Sequence, residues 1–415
     1  MKLKCILYLK HKIMKKNPFK NEAPPANASE NLKILFCYES NCSGETIATE
    51  NIIRTLKKIK NARVYSSAHV PLTSFRFVPF FKWVTACILF WFYTISKNGF
   101  VDWVYTTTYT AGFSASILKP VFGYKVCFHY QGSRIPPKIG YSSFLKKSTQ
   151  LLKRSSILII HKFFLMFIDL IIFPSNQTQK NFVRDFPILK SKKIVQIPNG
   201  INLKVFKPFK LKRKLALRKK YKINANAIVI MYAGLLEKRK NVILLVKSFF
   251  YLSQKIKNVI LILIFLKPKN YDERIYKQKL EKIIKKKKLN NNVLLIENSK
   301  YLEQFYGISD LFVLPSLQDH FPLVFLEALA SKVIFLGTPV GAVKELLPKI
   351  DQRLLIIKND PRKLAKQISY FLKLSNSQKK KITNKGYTLA KQLTWVKVSR
   401  SIFKSLSLIS SVYQR

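Results

Sequence analysis

Residues 33–59 read KILFCYESNCSGETIATENIIRTLKKI, and this stretch decides the fold. KILFCY is a short continuous apolar run, of the kind that forms a strand buried on both faces inside a parallel sheet. A polar turn follows over 39–45, and 46–59 is helix-like. Strand, loop and helix in that order make the unit from which doubly wound sheets are built. The unit recurs, with strand candidates at 103–106, 125–129, 170–174 and 193–197 separated by helical or turn material. After Pro198, Asn199, Gly200 and a basic segment over 204–222, the alternation starts again at 227–233, 259–265, 292–296, 311–314, 333–336 and 354–357. Helices are expected over 361–373, over 377–389 and from Trp395 onward.

A chain of 415 residues is too long for one compact core, because domains usually hold ~100–200 residues. The pattern implies two Rossmann-like domains, one over 31–205 and one over 206–395, with a loose extension over 1–30 and a terminal helix over 396–415. A hydrophobic share of 48% and an aromatic share of 13% exclude a disordered chain. Ligands of open α/β sheets bind beyond the carboxyl ends of the strands, so function is to be sought in the loops that follow them.

The charge is unusual. Against 20 Asp and Glu stand 75 Lys and Arg, for a net charge of +55. Such a field attracts polyanions: an anionic lipid leaflet, a phosphorylated substrate or nucleic acid. Because the basic residues are scattered along the whole chain, nucleic acid is not expected as the main partner. The five cysteines, Cys5, Cys37, Cys42, Cys87 and Cys127, form no CxxC pair and are odd in number. They fit small buried hydrophobes in a reducing cytoplasm, with neither disulfides nor a zinc site. The apolar stretch at 5–9 is too short for an export signal. Residues 77–95 come nearest to a membrane span, but Pro79 and Lys82 interrupt them, and a buried or interfacial helix is expected. The run at 151–173 is broken by Lys153, Arg154, His161, Lys162 and Asp169.

The chemistry concentrates at 314–331, LPSLQDHFPLVFLEALAS, which leaves a strand and enters a helix near Pro322. Asp319 lies in the loop and Glu327 one turn inside the helix, eight positions later. The free amides of the first helical turn, around Leu323 and Val324, suit a phosphate. Phosphate cradle and hydroxyl acceptors together are what a sugar nucleotide needs. A helical Glu between Leu326 and Ala328 is costly to bury without a partner, which favours a ligand for Glu327. A second constellation, 231–241 (MYAGLLEKRKN), ends a strand at Gly234 and enters a basic loop.

These segments resemble those of family 4 glycosyltransferases, whose signature is a carboxylate, seven residues and a glutamate. The resemblance spans roughly 31–400, most specifically in the carboxyl half, and implies the GT-B fold, with the terminal helix crossing back to the first domain. It implies that Glu327 contacts the donor ribose, that Asp319 faces the transferred sugar, and that Lys240 pairs with the donor diphosphate. Departures are Asp319 in place of Glu, His320-Phe321-Pro322 in place of Gly-Phe-Gly, Leu235 in place of an arginine and Lys332 in place of a glycine. Arg239 is then the candidate to supply the missing guanidinium. Gly44, in the first strand-to-helix loop, suits a close approach to phosphate. His129 matches the family's active-site histidine, the alternative being a satisfied core histidine. Glu345, in GAVKE, matches a glutamate close to the donor. Asp169, Ser175 and 198–201 match structural landmarks.

The resemblance further implies a retaining transfer, in which the acceptor attacks the donor's own face and no protein nucleophile is used. No metal is expected, since basic side chains and helix amides take its place. The expected partners are a nucleotide sugar, a glycan or lipid-linked acceptor of envelope polysaccharide synthesis, and the inner face of the cytoplasmic membrane. The rival is a basic membrane- or nucleic-acid-binding protein on a decayed transferase scaffold.

Overall fold

The computed structural model describes residues 32–38, 44–66, 100–131 and 163–412. The expected extension over 1–30 and the apolar segment 77–95 lie outside the described residues, as do Cys5, Cys42 and Cys87. Two parallel sheets carry the chain. The first is built from β1 (Leu32–Cys37), β2 (Ala62–Ser66), β3 (Trp103–Thr106), β4 (Lys125–His129), β5 (Leu170–Phe173) and β6 (Lys193–Gln196), in the order β2-β1-β3-β4-β5-β6. The second holds β7 (Ile228–Ala233), β8 (Val259–Phe265), β9 (Val293–Glu297), β10 (Leu311–Leu314) and β11 (Ile334–Gly337), in the order β11-β10-β7-β8-β9. All pairings are parallel, as expected of strands read as near-continuous apolar runs.

Two differences from the sequence reading have plain causes. β2, ARVYS, has only Ala62 buried, so its edge position left no apolar run to read. The strand expected at 354–357 is instead a single bridge from Leu355 to Gly337, entered from a 3-10 turn over Gln352–Leu354. Leu354 and Ile356 are buried there, but Ile357 is 76% exposed, so the run covers one face only.

Both sheets are covered by helices. In the first, α1 (Gly44–Leu56), α2 (Tyr109–Phe122) and α3 (Asn176–Asp185) follow β1, β3 and β5. In the second, α4 (Leu211–Lys220) precedes β7, and α5 (Val242–Ser253), α6 (Tyr271–Lys286), α7 (Leu302–Ile308), α8 (Leu323–Ala330) and α9 (Gly341–Leu346) follow in turn. Three more close the chain: α10 (Pro361–Lys373), α11 (Asn376–Gln392) and α12 (Trp395–Val412). The last of these crosses back. Val398, Ile402, Phe403, Leu406 and Ile409 of α12 join the core on one face of the first sheet, beside Trp103 and Tyr105. Trp103 Nε1 donates to Ser410 Oγ at 2.9 Å, which fixes the register of that crossing.

The two passages of the chain between domains run side by side. Ile201 N–H donates to Leu393 C=O at 2.8 Å, and Ile201 bridges Thr394. A Cβ on Gly200 would stand 2.7 Å from the Trp395 amide nitrogen, so only glycine permits this approach. Both sheets reverse direction of growth, between β1 and β3 in the first and between β7 and β10 in the second. Such switch points open the crevice in which ligands of this architecture bind. Among the described residues no helix is long and apolar enough to cross a membrane.

Candidate functional site

The switch point of the second sheet gathers the charged loops. β7 ends at Ala233 and leads through Gly234 to Lys240, while β10 ends at Leu314 and leads to Asp319. Tyr232 Oη, inside the sheet, donates to Leu235 C=O at 2.9 Å, and Leu317 N–H donates to Arg239 C=O at 2.7 Å. The second of these bonds ties the two loops together. Lys240 Nζ then lies 2.5 Å from Asp319 Oδ2, each side chain 12% exposed. Burial works against the Asp319 carboxylate, but the charge and hydrogen bond of Lys240, with Arg239 beyond it, hold its pKa below the usual value. Arg239 itself is turned to Glu237, with Nε 2.5 Å from Oε2.

From Asp319 the chain passes through Pro322, which caps α8 with no side-chain hydrogen bond and no acid in the first turn. The amides of Leu323 and Val324 sit at that uncapped end, where the helix dipole favours an anion. One turn further, Glu327 is 9% exposed. Its Oε2 accepts a 2.9 Å hydrogen bond from Tyr306 Oη on α7. Burial raises the Glu327 pKa to about 7, although the Tyr306 bond opposes the rise. Tyr306 was not foreseen in the sequence, since nothing local marks a tyrosine 21 positions away as the partner of this acid.

Two expected site residues are placed elsewhere. His129, at the carboxyl end of β4, has no exposed surface. Its Nδ1 is hydrogen-bonded to Tyr105 Oη and its Nε2 to the Gln131 side chain at 3.0 Å. Burial drives its pKa down to about 3, so the ring stays neutral. Buried and hydrogen-bonded through both ring nitrogens, it has the surroundings of the satisfied core histidine that the sequence left as the alternative. Glu345, on α9, is turned to the other domain, where Oε1 accepts the Gln177 amide at 2.6 Å and Oε2 the Asn176 amide at 3.3 Å. There it neutralises the amino end of α3 and straps the domains together, instead of facing the donor loops. Gly44 opens α1 after β1, on the carboxyl edge of the first sheet.

The facing wall comes from the residue that follows β4. Tyr130, 4% exposed, meets the His320 ring edge-on at a centroid distance of 5.1 Å and 81°. The sequence marked His320 only as a departure from glycine. The main chain of this loop is held from α9: Ala342 N–H donates to His320 C=O at 2.9 Å. Gly341 has φ +47°, and a Cβ there would lie 1.9 Å from the His320 carbonyl oxygen. As landmarks, Asp169 takes Lys119 at 2.7 Å and the Val126 amide, and Ser175 caps α3. Among the described residues no group of three or more His, Cys, Asp and Glu side chains is arranged to hold a metal ion.

Residues 213–388 match the sequence profile of the family described as glycosyl transferases group 1. An uncharacterized glycosyltransferase of Methanocaldococcus jannaschii is 29% identical over 200 residues, which are 47% of this chain and 46% of that protein. The match thus spans about half the length of that relative. Among solved structures, HepE of Anabaena in complex with UDP and glucose superposes with a TM-score of 0.70 at 17% identity, over 90% of this chain and 99% of that one. A glycosyltransferase from Rickettsia africae superposes with a TM-score of 0.72 at 18% identity, over 92% of this chain and 99% of that one. At such identities the superpositions establish the fold, GT-B.

Proposed function

We propose that this chain, whose residues 213–388 are a group 1 glycosyl transferase domain on a GT-B fold, moves a sugar from a nucleoside diphosphate to an acceptor with retention of configuration. One observation carries the reading: at the switch point the segment 314–331 holds an uncapped helix end, a buried glutamate and a carboxylate, Asp319, that is paired with Lys240 of the neighbouring loop. Glu327 is suited to accept from the ribose hydroxyls. The amides of Leu323 and Val324 are suited to the diphosphate. Lys240, released from Asp319, would neutralise the departing phosphate, and Asp319 would then face the sugar. The acceptor oxygen bonds to the anomeric carbon as the carbon–phosphate oxygen bond breaks, and the acceptor proton passes to the departing phosphate. Lys240 and the helix end supply the positive charge that this leaving group requires, so the transfer is proposed to be metal-independent.

The HepE complex with UDP and glucose makes UDP-glucose the first donor to try. The net charge of +55 supports an acceptor at an anionic surface, a lipid-linked glycan of envelope polysaccharide synthesis on the inner face of the membrane. The test is a thermal-shift panel of nucleotide sugars followed by a nucleotide-release assay. A donor that binds only the native state raises the melting temperature. Release should be lost in Lys240→Ala and Glu327→Ala chains that remain folded. Undiminished release in both variants would sink these roles, and a panel without any stabilising donor would sink the transferase reading.

A further inference from the structure

We propose that the imidazole of His320 is a specificity-determining group that hydrogen-bonds a hydroxyl of the transferred sugar, with Tyr130 of the opposite domain as its wall. This rests on the transferase reading above. His320 directly follows Asp319, whose Oδ1 accepts the His320 amide at 3.0 Å, so both side chains leave the same point of the loop. The ring is fixed from two sides. Tyr130 packs against it edge-on from the first domain, and the main chain is pinned through Ala342 and the left-handed Gly341. The hydrogen bonds of His320 are all made by its main chain, and among the described residues neither ring nitrogen has a partner.

A half-buried imidazole with a held backbone, a packed wall and two unused nitrogens is organised for a ligand. Burial lowers its pKa from 6.5, against the opposing effect of Asp319, so at neutral pH the ring is uncharged. A neutral imidazole offers a donor on one ring nitrogen and an acceptor on the other, and either can engage a sugar hydroxyl. Its neighbour Asp319 accepts only, so the two side chains together distinguish hydroxyl positions better than either alone. If the ring served only to pack against Tyr130, a phenyl group would do the same work.

The experiment compares wild type, His320→Phe, His320→Gln and His320→Gly in nucleotide release from UDP-glucose and a panel of UDP-hexose epimers, with donor binding by calorimetry. His320→Phe, folded with an unchanged melting temperature, should lose about 10- to 100-fold in kcat/KM, the range of one unmade hydrogen bond to a bound polar group. His320→Gln, which retains a donor and an acceptor, should recover part of that loss. His320→Gly should flatten the preference among epimers. A His320→Phe chain with wild-type kcat, KM and donor preference overturns the assignment while leaving the transferase reading intact. A wild type that neither binds nor turns over any nucleotide sugar overturns both.

Discussion

Replacing Glu327 by Gln should stabilise the protein at alkaline pH while weakening donor binding, and the size of the effect follows from its burial. In the unfolded chain this acid titrates near 4.5, whereas in the fold its pKa is about 7. Between those values the native state binds a proton that the unfolded state has released. Stability therefore falls as pH rises from 4.5 to about 7, and the full cost is present above 7. At ~1.4 kcal/mol for each tenfold change in proton affinity, the cost amounts to ~3 kcal/mol at pH 8 and well under ~1.5 kcal/mol at pH 5. Gln carries no charge at either pH, and its Oε1 can accept from Tyr306 Oη as the acid does. Whatever the new amide costs is the same at both values and cancels. The difference in stability between variant and wild type should thus be ~2–3 kcal/mol larger at pH 8 than at pH 5. At ~2–4 °C per kcal/mol for a domain of this size, that is roughly 5–10 °C in the melting transition. Donor affinity should drop by ~10- to 100-fold, the worth of a charge-assisted hydrogen bond. Equal melting shifts at the two pH values would refute the argument, because the proton would then not be retained by Glu327.

The buried pair makes a second prediction: Lys240→Met strands Asp319 and should cost roughly 3 kcal/mol in urea unfolding, while Lys240→Met with Asp319→Asn recovers most of it without restoring transfer. Equal losses in single and double variants would show that the pair is not coupled. Gly341→Ala should lower the urea midpoint by an amount equivalent to at least ~2 kcal/mol, since φ +47° and a carbonyl oxygen 1.9 Å from the new Cβ leave it no place; an unchanged midpoint would mean that the loop is not held as described. His129 supplies the opposite pH slope to Glu327. Its pKa is lowered from 6.5 to about 3, so its neutral form contributes stability above pH 6.5 that is lost as pH falls towards 3. Between pH 6.5 and pH 4 the wild type should lose ~3 kcal/mol that His129→Gln does not lose, and parallel curves would exclude the buried neutral imidazole.

What the sequence shows of this protein is what is contiguous in it. The segment from Leu314 to Ser331 runs strand, loop and helix without a break, so an acid in its loop and another inside its helix can be placed by counting. Lys240 is likewise legible, because it sits at a fixed distance after a strand end. The partners that decide what those side chains do are not contiguous. Tyr306 reaches Glu327 from another helix, Tyr130 reaches His320 from another domain, and Ser410 reaches Trp103 across 307 positions. His129 and Glu345 show the cost of that. Each stands where a loop follows a strand of a parallel sheet, the place where ligands bind, and each was expected near the donor. Yet every residue from Val126 to His129 is buried, so the run gives no sign of which side faces the cleft. Glu345 could equally approach a phosphate-binding loop or the amino end of a neighbouring helix, and α3 presents two free amides to it. A carboxylate or an imidazole becomes a ligand-binding group when nothing in the fold has already satisfied it. By that criterion Glu345 and His129 already have partners in the fold, while among the described residues the His320 ring, absent from the signature that made the site legible, has none for either nitrogen.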